Sequence, residues 1–127
     1  EKAKLKAYVT GGGTILGQAC CSKAAFERSF RELVEELFGA KLETVPAEHP
    51  VYTRMKTRGL APRPKVEVIA LADQGGRPGV IYLDRDHCCR WHVGVSQEAF
   101  AVGTGIYLYV TTDARKMFER SRDAAAK

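Results

Sequence analysis

Phe26, Phe30, Leu33, Val34, Leu37 and Phe38 recur at three- and four-residue spacing, while Glu27, Arg28, Arg31, Glu32, Glu35 and Glu36 take the remaining faces. This spacing predicts an amphipathic helix with a wide apolar stripe. Such a face must bury itself against a second layer, and a sheet is the simplest cover. Ser22 is the expected N-cap, and Gly39 closes the helix. Just ahead, residues 14–19 carry no charge and predict an interior strand that runs into Cys20 and Cys21. Residues 65–72 and 79–83 are rich in Val and Ile, and the turn residues 73–78 between them predict an antiparallel hairpin. Residues 42–45 add a short strand stopped by Pro46.

Residues 2–9 read as a helix with Leu5, Tyr8 and Val9 on one side, ended by three consecutive glycines. His49 precedes Pro50, which pushes its backbone toward an extended conformation, and residues 52–64 read as a loop. Residues 96–112 admit two readings. Residues 106–110 have strand-like composition, whereas Ala99, Val102, Ile106 and Val110 form one helical stripe that Ser96 and Glu98 would open. The helix is preferred. With 127 residues the chain suits one domain. Residues 1–115 are expected to form a single α/β unit and residues 116–127 a polar helix or tail; Glu1 in place of Met is expected of a processed or excised chain.

The net charge is +5, and Arg54, Lys56, Arg58, Arg63 and Lys65 concentrate part of it. Pro62, Pro64 and the single nearby ring of Tyr52 favour a solvated loop over a nucleic-acid surface. The longest apolar stretches are too short to span a bilayer. The four cysteines fall in two adjacent pairs, Cys20-Cys21 and Cys88-Cys89, which is neither a dense disulfide framework nor zinc-ribbon spacing.

The order Gly12-Gly13-Thr14-Ile15-Leu16, then Ala19-Cys20-Cys21, the helix from Phe26 to Phe38, and Pro46-Ala47-Glu48-His49-Pro50-Val51-Tyr52 resembles a bacterial family catalogued as domain of unknown function 4159. Gly76-Arg77, Asp86, Trp91, Ala99-Phe100 and Gly103 extend the resemblance, which spans roughly residues 5 to 112. It implies a partial flavodoxin-like layered sheet with a β-hairpin and flanking helices, related to the class I glutamine amidotransferase-like fold. Members usually carry further strand–helix units before the glycine-rich turn, often within longer, envelope-associated bacterial proteins. The resemblance therefore implies that residues 1–115 are the C-terminal part of a larger domain, with a partner in the rest of a longer parent protein or in a second copy of the chain that covers the sheet edge.

In the related amidotransferases the position of Cys20 and Cys21 holds the nucleophile, where a strand-to-helix turn exposes a thiol. The elbow wants flanking glycines; here Gly17 is one residue too far and none follows. The competing reading makes either cysteine a small packing residue. The resemblance also marks His49 as a hallmark, either capping its loop or facing a cleft, and Arg77 and Trp91 divide in the same way between structure and ligand binding. No late His-x-acid pair completes a triad, and Asp86-His87 is adjacent, so its side chains diverge on an extended segment. Should the strands ahead of the two cysteine pairs end on one edge, thiols and imidazoles converge. Cys88, Cys89 and His92 would then suit zinc, or a disulfide would join the pairs. Adjacent cysteines diverge and seldom share one metal, so free thiols without a cofactor are favoured.

The leading expectation is a non-catalytic ligand- or partner-binding module, with Arg77, Asp86, His87 and Trp91 as candidate contacts to a small molecule. A cysteine-dependent amidase or hydrolase using Cys20 or Cys21 with His49 or His87 is one alternative. An interaction segment completed by absent strands or by self-association is the other.

Overall fold

The computed structural model describes residues 1–55, 64–85, 87–94 and 97–127. Four strands, β1 (Ile15–Gln18), β2 (Glu43–Thr44), β3 (Val66–Leu71) and β4 (Arg77–Leu83), form one sheet in the order β1-β4-β3-β2. Among the described residues six helices accompany them: α1 (Lys2–Thr10), α2 (Ala24–Phe38), α3 (Pro50–Met55), α4 (Cys88–Val93), α5 (Gln97–Leu108) and α6 (Arg115–Ala125). A π-helical turn over Tyr109–Ala114 joins the last two. The fold is therefore mixed α/β, with β3 and β4 forming the expected antiparallel hairpin.

Alternation along the strands sorts the core into two layers. Val80, Tyr82 and Ile69 join Val34 and Leu42 on the face covered by α2. Val66, Ile81 and Leu83 join Val51, Met55, Val102, Ile106 and Tyr109 on the face covered by α3 and α5. The α2 stripe packs as its spacing requires: Val34 is buried, Phe30 and Phe38 are half-buried against the sheet, and Gly39 closes the helix with φ 60°. Burying Val34 alone contributes roughly 1.5–3 kcal/mol. One residue of the polar face also reaches inward. Arg31 holds buried Glu67 of β3 with a two-pronged bond at 3.2 and 2.5 Å, its guanidinium 5.2 Å from the centre of the Tyr82 ring. The bond to Glu67 raises the Arg31 pKa.

Several local expectations are corrected. Residues 14–19 contain a strand, but β1 lies at the sheet edge rather than in its interior, because it is parallel to β4 and no described strand pairs with its outer side. Ser22 does not cap α2. It sits in a short 3-10 turn, Cys20–Ser22, and Lys23 is the N-cap. Residues 50–55 are helical rather than part of a loop: Pro50 fits the first turn of a helix, where its missing N–H costs nothing. Residues 56–63 of that expected loop, with three of the five clustered cations, lie outside the described residues. On α1 only Val9 is buried, while Leu5 and Tyr8 stay exposed. The segment open to two readings is helix α5, with Ala99, Val102 and Ile106 buried; its expected cap, Ser96, lies outside the described residues. The polar C-terminus forms α6, and Ser121 donates to the Asp73 carbonyl at 2.8 Å.

Candidate functional site

Strands β1 and β4 run parallel and in register from Ile15 opposite Val80 to Gln18 opposite Leu83. Their carboxyl ends therefore leave the sheet side by side. One chain enters the turn at Cys20–Ser22, and the other enters α4, which opens at Cys88. The Gln18 side chain closes the gap, its Oε1 accepting from the His87 N–H at 2.9 Å. In consequence Cys20 Sγ lies 3.7 Å from Cys89 Sγ and 3.8 Å from Cys21 Sγ, and the three sulfurs lie within 4.8 Å of one another. All three residues are exposed.

The expectation that adjacent cysteines diverge holds for extended chain and fails here. Cys21 adopts φ 54° and ψ 29°, and Ser22 follows with φ 53°. Two successive left-handed residues other than glycine are costly, at about 1–2 kcal/mol each. This reversal turns the Cys21 thiol back toward Cys20.

The remaining candidates divide among separate places. His49 sits at the start of α3. Its Nδ1 accepts from the Val51 N–H at 3.2 Å, its carbonyl accepts from the Tyr52 N–H at 3.0 Å, and its ring stands edge-on to Tyr109 at 5.3 Å. Burial lowers its pKa. His87 is 0% exposed, stacks on Trp91 at 6.3 Å, and neither of its ring nitrogens has a hydrogen-bond partner among the described residues. Burial, then the charge of Arg90, lowers its pKa. Arg77 is 1% exposed and is bound to the fold itself: it donates to Gln74 Oε1 at 2.7 Å, to the Gly13 carbonyl at 2.9 Å and to the Val9 carbonyl. Asp86 lies outside the described residues, as do the side chains of Cys88 and His92.

Trp91 leads to a second feature. Its indole N–H donates to the Ala99 carbonyl, and its ring lies over Gly103 of α5, where an added Cβ would stand 3.1 Å from it, a tight contact. Trp91, Gly103, Leu16, Phe100, Tyr107 and neighbouring residues line an open apolar groove with a volume of about 380 Å³. Leu16, Phe100 and Tyr107 are 40%, 47% and 66% exposed. The sequence signal for this groove was available in α5, which has no charged residue from Ala99 to Leu108. A helix apolar on every side wants cover on every side. Among the described residues, no helix is long and apolar enough to cross a membrane.

No curated protein and no solved structure matches the chain. The sequence model of the family described as Domain of unknown function (DUF4159) matches residues 1–117, which is most of the 127 residues, and the chain belongs to that family.

Proposed function

We propose that this domain is a non-catalytic partner-binding module on an amidotransferase-like scaffold. Its partner is a polypeptide that adds a strand to the edge of β1 and lays apolar side chains into the adjoining groove. The carrying observation is the continuity of two unsatisfied features. The outer edge of β1 offers backbone donors and acceptors with no described strand beside it. Leu16 on that same strand begins the apolar surface that continues through Phe100 and Tyr107. Strand addition draws affinity from main-chain bonds and specificity from apolar pockets beside them. In the isolated chain, a second copy can take the partner's place, with two β1 edges pairing about a two-fold axis.

Light scattering across a concentration series tests this reading. Association that weakens in Leu16→Asp and in Phe100→Asp, both exposed and tolerant of change, supports it. A monodisperse monomer at high concentration, with β1 amides as exchangeable in concentrated as in dilute solution, overturns it.

A cysteine-dependent hydrolase is the second reading, favoured by the left-handed Cys21 at a strand-to-helix turn. Against it, the His49 Nδ1 is engaged in capping α3, and the His87 ring is buried. Selective alkylation of one thiol at neutral pH would support it; equal reactivity of all thiols would count against it.

A further inference from the structure

We propose that Cys20, Cys21 and Cys89 supply three thiolate ligands to a zinc ion. The inference is independent of the partner-binding reading, because it rests on the carboxyl ends of β1 and β4 rather than on the outer edge of β1.

Distance is the first argument. Tetrahedral zinc with Zn–S bonds of about 2.3 Å sets its sulfurs about 3.8 Å apart. Cys20 Sγ already stands 3.8 Å from Cys21 Sγ and 3.7 Å from Cys89 Sγ. The third edge lies within 4.8 Å and closes by rotation of exposed side chains. Two sulfurs at van der Waals contact would serve a disulfide as well, but a disulfide joins only two atoms. It gives no reason for a third sulfur on the same centre.

Backbone conformation is the second argument. Without the left-handed turn at Cys21 and Ser22, neighbouring cysteines would point apart. Strain of this kind is characteristic of functional sites. Topology is the third. Ligands of open α/β sheets gather beyond the carboxyl ends of strands, and the bond from the His87 N–H to Gln18 fixes the two chain ends there. Thiolate ligands select zinc and softer cations over magnesium or calcium. Binding proceeds as three S–H bonds break, three Zn–S bonds form and three protons leave to solvent.

The test uses the full chain, reduced and kept free of oxygen, titrated with zinc against a chromophoric chelator and separately with cobalt(II). The expected result is one ion per chain, proton release on binding, and a cobalt spectrum with sulfur-to-metal charge-transfer and intense tetrahedral visible bands. Loss of an outer-shell partner weakens a metal site roughly 10–100-fold, and Cys20→Ser, which removes a ligand, should weaken zinc by at least that much. Circular dichroism verifies that the variant is folded. Binding below one ion per chain in the parent overturns the proposal, as does a cobalt spectrum lacking the charge-transfer band. Zinc affinity equal to that of the unsubstituted chain in both Cys20→Ser and Cys89→Ser would also overturn it. The cobalt spectrum of the unsubstituted chain decides the matter even if the variants fail to fold.

Discussion

The Arg77 guanidinium donates to the carbonyl oxygen of Val9, 68 positions away, and so ties the last turn of α1 to the start of β4. The same group reaches the Gly13 carbonyl and lies 5.3 Å from the centre of the Phe118 ring on α6. A cation at a helix C-terminus is favoured by the helix dipole, and here it also donates to one carbonyl in the last turn and one beyond it.

Arg77→Met should therefore cost about 1–3 kcal/mol, since it removes the donor that joins the Val9 and Gly13 carbonyls to β4. Arg77→Lys should recover only part, because an ammonium lacks the planar fork. Urea denaturation measures both. Stability equal to the parent in Arg77→Met would remove the structural role and return Arg77 to the ligand-binding candidates.

Two glycines mark close approaches of different kinds. A Cβ at Gly105 would lie 2.5 Å from the Met55 Cα and 2.6 Å from its nitrogen, both backbone atoms. A Cβ at Gly17 would lie 2.3 Å from the tip of the Phe30 ring. A ring can move, whereas α3 must shift as a body. Gly17→Ala is expected to cost about 1–3 kcal/mol, and Gly105→Ala more. Adding Phe30→Leu should relieve the first. Thermal unfolding of the three variants checks the order.

Burial holds the His49 pKa below its ordinary 6.5. The unfolded chain then binds a proton more readily than the folded chain. Stability is full above 6.5 and falls as the pH drops below that value toward the folded pKa. The Tyr109 ring beside it is pushed upward by burial and does not titrate in this window. His49→Asn keeps a capping acceptor without the proton. Urea midpoints measured on either side of pH 6.5 should show a shallower decline in the variant; an unchanged decline would rule out the His49 contribution.

His87 places two polar nitrogens in the interior without partners among the described residues. Removing such a group without creating a new orphan is neutral or stabilising. His87→Leu should raise stability by about 1 kcal/mol, and its backbone bond to Gln18 should persist. A loss of several kcal/mol would show that the imidazole has a partner the present contacts do not include.

Much of the fold was legible because its causes are local. The Phe26-to-Phe38 stripe demanded a helix, Gly39 its end, and the turn between two Val/Ile-rich stretches a hairpin; each rests on backbone sterics or on the period of burial. Where local cues were weak, they misled. Ser22 has the right side chain for a cap, but the two left-handed residues before Lys23 displace the helix start.

The candidate site was legible only as an inventory. Sequence alone determined that two cysteine pairs follow two apolar stretches, and that α5 is apolar on every side. Tertiary structure decided that β1 and β4 are parallel neighbours, so that residues 69 positions apart meet at 3.7 Å. It also decided the sign of the Cys21 φ angle, which joins the third sulfur to them, and left β1 at the sheet edge beside the bare face of α5. Strand adjacency and direction arise from the burial of the whole chain at once, and no short stretch of sequence carries that information.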